Sequence, residues 1–116
     1  MVDDRIFVFG SNIAGRHGKG AALFAAQNYG AKRGIGFGPT GKAWAIPTKD
    51  AELQTLGLSF IQSYVSKFLS YANIHPELRF NVTRVGCGLA GYTDEQIAPM
   101  FSDAPPNCDL PQGWRK

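Results

Sequence analysis

Residues 10–30 read GSNIAGRHGKGAALFAAQNYG, and this stretch decides the fold of the chain. A short apolar run, Ile6–Phe9, leads into it and is typical of a buried strand. Small and apolar residues at helical spacing predict a helix from about Ala21 to Tyr29, with Gly30 as its C-terminal cap. Between the strand and the helix lies a loop in which glycines alternate with polar and basic residues.

A strand, a glycine-rich loop and a helix N-terminus in succession form an arrangement that binds phosphate. The first N–H groups of the helix have no intrahelical acceptor, and the helix dipole adds partial positive charge. Glycines let the backbone approach an anion closely, and Arg16 and Lys19 could add full charges. The alternative is a connecting loop whose glycines serve only to turn the chain, because glycine spacing alone is a weak signal.

The composition fits one globular domain over residues 1–116. The formal net charge of +3 permits a nucleic acid or a nucleotide as partner and requires neither. Cys87 and Cys108 are expected to be reduced thiols in a cytoplasmic protein. No apolar run approaches the roughly 18 residues of a membrane span, and the start MVDDRIFVFG does not resemble a signal peptide. The spacing of Cys and His suggests no metal site, and no cofactor is expected.

A second glycine-rich segment, GFGPTGK at residues 36–42, superficially matches a nucleotide-triphosphate loop. Ala43 stands where that loop needs a magnesium-binding hydroxyl, and a strand rather than a helix follows, so we expect a connection or hairpin. This strand, Ala43–Ile46, is predicted to end at Pro47. Lys49 then lies just beyond a strand end, where ligands bind in open α/β sheets, although a solvated surface lysine is the usual alternative.

The second half of the chain predicts three further elements and a tail. A helix from Leu56 to about Ala72 has one apolar stripe that belongs to the core. A strand over residues 78–85 leads into a glycine-rich turn over residues 86–92. Thr93–Gln96 matches a capping box, so a helix begins at Asp94, and Pro99 keeps it short. In the tail, residues 107–110 suggest an edge strand, and Trp114 is expected to fold back onto the body.

This order of elements predicts an α/β fold with a sheet covered on both faces. Two of its strands each end in a glycine-rich loop that opens a helix. If those strands are neighbours, the two loops face each other across a cleft. Such a pair of loops suits the diphosphate of a nucleotide.

Three motifs in this order resemble the macrodomain family, whose members bind ADP-ribose. Gly18–Ala22 (GKGAA) is similar to the first loop of the branch that contains the human terminal ADP-ribose protein glycohydrolase and the antitoxins that remove ADP-ribose from DNA. Ile46–Lys49 (IPTK) is similar to its strand end, and Val85–Leu89 (VGCGL) to its diphosphate loop. The likeness extends over residues 5–101 and implies a three-layer α/β/α macrodomain-like sandwich with a mixed sheet, shortened at the N-terminus.

The resemblance also implies roles for individual residues. Lys49 matches the lysine that attacks or stabilises the anomeric carbon of the distal ribose. Ala90 stands where the human enzyme has an acid, so Asp94 or His17 is expected to assist instead; the alternative for His17 is a surface loop histidine. The expected ligand-binding residues are Ser11, Asn12, Gly18, Lys19, Gly20, Ala21, Gly86, Cys87, Gly88, Leu89, Ala90, Gly91 and Tyr92.

The resemblance therefore implies binding of ADP-ribose or an ADP-ribosyl group between the two glycine-rich loops. A hydrolase version would act on an ADP-ribosylated nucleic-acid base, an ADP-ribosylated protein or a small derivative such as O-acetyl-ADP-ribose. The alternatives are a non-catalytic ADP-ribose or nucleotide-binding module and an interaction module whose site has decayed.

Overall fold

A computed structural model describes residues 4–115 of the chain. Within this range the protein is an α/β domain with one mixed five-stranded sheet and three α-helices. The strands are β1 (Ile6–Asn12), β2 (Gly38–Thr40), β3 (Ala43–Lys49), β4 (Phe80–Val82) and β5 (Cys108–Asp109), and the helices are α1 (Gly20–Asn28), α2 (Leu58–Ile74) and α3 (Asp94–Ile97), the last continued by a 3₁₀-helix (Ala98–Phe101). None of the helices in the described range is long and apolar enough to cross a membrane.

The sheet has the strand order β2-β3-β1-β4-β5, with β1 at its centre. β1 pairs in parallel with both β3 and β4, and β5 adds in parallel to β4. Only β2 runs antiparallel, as the first strand of a hairpin with β3. Of the two predicted possibilities for residues 36–42, a connection or a hairpin, the structure shows the hairpin. The carboxyl ends of β3, β1 and β4 lie side by side at one edge of the sheet.

The two faces of the sheet are covered by different helices. Phe7 and Phe9 of β1 pack with Ala22 and Ala25 of α1 in one apolar cluster. Val8 points to the opposite face, because side chains alternate along a strand, and belongs to a larger cluster. That second cluster contains the buried α2 residues Ile61, Val65, Phe68 and Ala72, together with residues of α3 and the 3₁₀-helix.

Two strand boundaries differ from the prediction. β1 continues past Phe9 to Asn12, and β3 continues through Pro47 to Lys49. Pro47 is tolerated within β3 because it lies beyond the last β2 pair, Gly38 with Ala45, where one side of the strand is unpaired. The longer strands place Asn12 and Lys49 opposite each other at the sheet edge.

The elements after residue 90 agree more closely with the predictions from the sequence. The capping box of Thr93 and Gln96 is present at the start of α3, and the chain passes into the 3₁₀-helix around Pro99. The tail supplies the edge strand β5, and Trp114 is buried against the core. β4 is shorter than predicted, because the Val85 N–H donates to the Thr83 carbonyl at 2.7 Å and turns the chain there.

Phe68 belongs to the larger apolar cluster and is fully buried against Trp44 and Phe80. We expect Phe68→Ala to lower the free energy of unfolding by about 3–5 kcal/mol, because the substitution leaves a cavity. Phe60→Ala is the matched control on the same helix: Phe60 is 60% exposed, and its loss should cost less than about 1 kcal/mol. Urea denaturation measures both, and equal losses would contradict this description of the core.

Candidate functional site

A cleft of ≈ 1110 Å³ lies at the carboxyl ends of β1, β3 and β4. The first glycine loop, residues 13–20, contributes most of its residues to one side of the cleft, and the second glycine loop, residues 86–92, contributes residues 86–90 to the facing side. The loops approach each other closely: a Cβ added to Gly20 would lie 3.5 Å from the Leu89 side chain. Gly10 lies between Thr48 and Gly86, each 3.6 Å from where its Cβ would be, and leaves space between the strands. The sequence expectation that the two loops face each other is confirmed.

The side chain of Asn12 holds the first glycine loop in place. Its Nδ2 donates to the Arg16 carbonyl at 2.8 Å, and its Oδ1 accepts from the Arg16 N–H at 2.9 Å. Gly15 packs against the backbone of Gly34, whose N–H donates to the Gly15 carbonyl at 2.9 Å. A Cβ at Gly15 would lie 2.4 Å from Gly34 backbone carbon, so only glycine allows this approach. The predicted ligand residue Asn12 thus shapes the loop.

The N-terminus of α1 opens into the cleft. Gly20, Ala21 and Ala22 all line it, and within the described chain their N–H groups have no hydrogen-bond acceptor. The N-cap residue, Lys19, provides no capping side chain, and the first turn contains no acid. A helix of nine residues therefore presents free donors and its positive dipole end to the cleft. These groups can bind an anion.

The second glycine loop also presents free N–H groups. Its turn is closed by the Cys87 N–H to the Arg84 carbonyl at 3.0 Å and by the Tyr92 N–H to the Gly86 carbonyl at 2.9 Å. Between these bonds, the N–H groups of Gly88, Leu89 and Ala90 find no acceptor in residues 4–115. Successive free N–H groups in a turn form an anion-binding concavity. All three residues line the cleft.

The charged side chains that line the cleft are all basic. No Asp or Glu lines it within the described residues. The charge pattern of the sequence contributes to this bias, since residues 5–49 contain seven Lys or Arg and no acid. The electrostatics favour an anionic ligand. The five basic residues are Arg16, Lys19, Arg33, Lys49 and Arg84.

Lys49 is the last residue of β3 and is partly buried. Its carbonyl accepts the Ile13 N–H at 3.0 Å, and its backbone forms an isolated bridge with Thr55. In the part of the chain that the structure describes, the Lys49 ammonium has no ion-pair or hydrogen-bond partner, whereas Arg84 is paired with Asp94 at 2.6 Å. The backbone of Lys49 is thus fixed at the cleft, and its side chain has no partner there among the described residues.

The structure does not bring Asp94 to the cleft. Its Oδ1 accepts from the Trp114 indole at 3.1 Å, and its Oδ2 accepts from Arg84 at 2.6 Å. The hydrogen bond from Trp114, supported by Arg84, holds the pKa of the Asp94 carboxyl below its usual range. Asp94 therefore ties the chain terminus to Arg84 and is not positioned as an acid for a ligand in the cleft.

His17 also lies outside the cleft lining. The ring is 2% exposed, packs edge-on against Phe9 and lies with Nε2 3.2 Å from the Ser11 hydroxyl. Nδ1 has no partner with hydrogen-bond geometry in residues 4–115. Burial lowers the pKa of His17, and Arg33 acts in the same direction, while the nearby Ile35 backbone opposes them. The alternative of a surface loop histidine is also wrong, because the ring is an internal support of the first glycine loop.

Two of the predicted ligand residues in the second glycine loop do not line the cleft. Gly91 is not part of the cleft lining, and the Tyr92 hydroxyl donates to the Leu56 carbonyl at 2.6 Å. Cys87 does line the cleft, but burial, followed by the influence of Asp94, raises its pKa to about 11. The remaining predicted ligand residues all line the cleft: Ser11, Asn12, Gly18, Lys19, Gly20, Ala21, Gly86, Gly88, Leu89 and Ala90.

Three important cleft residues escape the sequence analysis. Arg33 reaches the cleft because the chain after α1 folds back against Gly15, and no local pattern indicates this. Arg84 lies two residues before the second glycine loop and inside the strand predicted over residues 78–85, whereas β4 ends at Val82 and leaves Arg84 at the cleft. Leu53 lies in the connection after β3, residues 50–57, whose one glycine, Gly57, is four residues away, and no repeated pattern singles Leu53 out.

Comparison of the chain with protein-family models, with curated proteins and with solved structures gave no match. Within residues 4–115, no three His, Cys, Asp or Glu side chains converge as a group that could hold a metal ion. The candidate site is therefore defined by its own geometry: free N–H groups on two facing loops, with basic side chains around them.

The buried His17 generates a pH prediction. Its pKa is lowered by folding, so the unfolded chain binds the proton more readily and stability falls as the pH drops below about 6.5. When the pH is lowered from about 7.5 to about 5.5, we expect the free energy of unfolding to fall less for His17→Gln than for the wild type. The difference between the two proteins should be at most about 1.4 kcal/mol per pH unit. Urea denaturation at both pH values measures this difference. Identical pH slopes for the two proteins would refute a buried neutral His17.

Proposed function

We propose that the protein binds ADP-ribose or ADP-ribosyl groups in the cleft and that its fold is a macrodomain-like three-layer sandwich. One observation carries the proposal: two sets of N–H groups without acceptors in residues 4–115 face each other across a cleft that no acid of this range lines. Helices on both faces of the mixed sheet support the proposed architecture. The three sequence motifs support this choice of ligand.

The cleft matches the anionic centre of such a ligand. The N-terminus of α1 and the second glycine loop supply backbone donors to a diphosphate from two sides. Lys19 and Arg16 lie on the first side, and Arg84 on the second. Backbone donors favour phosphate oxygens without requiring large side-chain movements, which lowers the entropic cost of binding.

The dimensions of the cleft suit an elongated ligand rather than a single phosphate. The cleft extends across the ends of β3, β1 and β4, and its volume of ≈ 1110 Å³ is at the upper end of small-molecule sites. Apolar side chains from Leu53 and Leu89 contribute to the lining beside the basic residues. A nucleotide combines the two chemistries that this lining offers, anionic phosphates and apolar ring faces.

A second candidate function is hydrolysis of the bond between the terminal ribose and its substituent. The unpaired Lys49 in the cleft favours it. The deprotonated amine would form a bond to the anomeric carbon as the bond to the leaving group breaks, and the leaving group would take a proton from the resulting secondary ammonium; water would then attack the anomeric carbon, break its bond to Lys49 and release the ribose. Alternatively, the ammonium would stabilise the departing group electrostatically. Because Asp94 and His17 lie outside the cleft lining, either version would rely on Lys49 without their help, so binding is our primary proposal.

The binding proposal is tested at Gly18, where a Cβ meets no atom within 4 Å and the backbone is not left-handed. Titration calorimetry should show roughly micromolar binding of ADP-ribose to the wild type and weaker binding of AMP. Gly18→Glu should bind ADP-ribose at least about tenfold more weakly than Gly18→Gln, because the new carboxylate repels the diphosphate. Absence of ADP-ribose binding in the wild type would overturn the proposal, and equal affinities of the two variants would exclude a diphosphate beside Gly18.

Lys49→Ala separates hydrolysis from binding. Under the hydrolase version, this variant keeps its affinity for ADP-ribose within about threefold but no longer releases ADP-ribose from an ADP-ribosylated oligonucleotide or protein. Chromatography of the reaction mixture measures the released ADP-ribose. Under the binding version, the wild type releases nothing and Lys49→Ala loses only some affinity. Lys67→Ala is the matched control, since Lys67 contacts Phe37 and Tyr64 outside the cleft.

A further inference from the structure

Leu53 has an unusual backbone conformation for its residue type. Its φ of 65° is the one left-handed value among the non-glycine residues of the described chain. The turn that imposes it is closed by the Leu53 N–H to the Asp50 carbonyl at 3.0 Å and the Asp50 N–H to the Gln54 carbonyl at 2.8 Å. The Asp50 side chain also accepts the N–H groups of Glu52 and Gln54, each at 2.9 Å.

Leucine is an unfavourable residue at this position. A left-handed non-glycine residue costs on the order of 1 kcal/mol, and glycine or asparagine would adopt this conformation more easily. Packing does not explain the choice, because Leu53 is 43% exposed and belongs to neither apolar cluster. Its side chain lines the cleft instead. The strain is therefore associated with the site and not with the core.

The turn that carries Leu53 is attached to the rest of the site. The Thr55 hydroxyl donates to the Ala90 carbonyl at 3.1 Å, and the Tyr92 hydroxyl donates to the Leu56 carbonyl at 2.6 Å. Both bonds connect the turn to the second glycine loop. The bridge between Thr55 and Lys49 fixes its other side to the end of β3. These contacts hold Leu53 in place as an apolar side chain in a cleft whose polar groups are mainly free N–H donors and cations.

The chemistry of the cleft indicates what such a surface contacts. The N–H groups and cations can bind phosphates, but no carboxylate lines the described cleft to accept from the exocyclic amine of a base. A base would therefore be held mainly through its apolar ring face. We infer that Leu53 forms the wall against which a planar nucleobase of the bound ligand packs, and that Leu53 selects ligands that carry a base. This inference rests on the proposed function.

Leu53→Asn tests the inference, because asparagine keeps the turn and removes the apolar surface. The ligands are inorganic pyrophosphate, which has no base, ADP-ribose, which has adenine, and carba-NAD, which adds a planar ring on the terminal ribose and resists hydrolysis there. We expect Leu53→Asn to weaken binding of a base-containing ligand by about five- to tenfold and to leave pyrophosphate binding unchanged. Loss for both ADP-ribose and carba-NAD identifies adenine as the contacted base, and loss for carba-NAD alone identifies the base on the terminal ribose.

Phe60→Asn is the matched control, because Phe60 is an exposed apolar residue that does not line the cleft. It should leave all three affinities unchanged. The melting temperature of Leu53→Asn should equal or exceed that of the wild type, since strain is relieved. The inference is overturned if Leu53→Asn binds every ligand as the wild type does, or if pyrophosphate binding falls by the same factor. If the wild type binds ADP-ribose in either case, the proposed function stands; if it does not, both fail.

Discussion

The structure depends on the parallel pairing of β1 with two strands at once. β3 and β4 are distant in the sequence, and each joins one edge of β1 in the same direction. Parallel pairing brings three carboxyl ends to one edge of the sheet, and the connection after each strand then contributes to one cleft. Large side chains on β1 secure this arrangement from both faces: Phe7 and Phe9 bind α1, and Val8 packs in the cluster that contains α2.

The edge of the sheet that forms the cleft is locally less stable than it could be, because several of its N–H donors are left without acceptors among the described residues. Helix α1 has neither a capping side chain nor an acid in its first turn, although α3 in the same chain has a complete capping box. The second glycine loop likewise leaves several N–H groups without acceptors. Unmade hydrogen bonds and clustered cations both destabilise a free protein. A bound anion would accept hydrogen bonds from the free N–H groups and neutralise the cations at once. The proposed function therefore also explains why the free protein keeps this destabilising arrangement.

Two titratable side chains near the cleft, His17 and Asp94, have structural roles and do not line it. His17 supports the first glycine loop from below through Ser11 and Phe9, and Asp94 joins Arg84 to Trp114. Both were reasonable candidates for an acid, because each lies within a few residues of a glycine loop. Their orientation follows from tertiary packing, because the contacts of His17 with Phe9 and of Asp94 with Arg84 and Trp114 form only when the loops fold onto the sheet, and residue type and loop position do not encode them.

The amino-acid pattern by itself determined the α/β class, the capping box and the two glycine loops, and it narrowed residues 36–42 to a connection or a hairpin, because these features depend largely on neighbours within a few residues. It also indicated most of the residues whose free N–H groups line the cleft, since a glycine loop before a helix has a local signature. Tertiary structure alone decided that Arg33 and Leu53 join the cleft, that Asp94 and His17 do not, and that Pro47 lies within a strand. The physical reason is that each of these outcomes depends on which strand or loop lies alongside, through contacts between segments far apart in the chain.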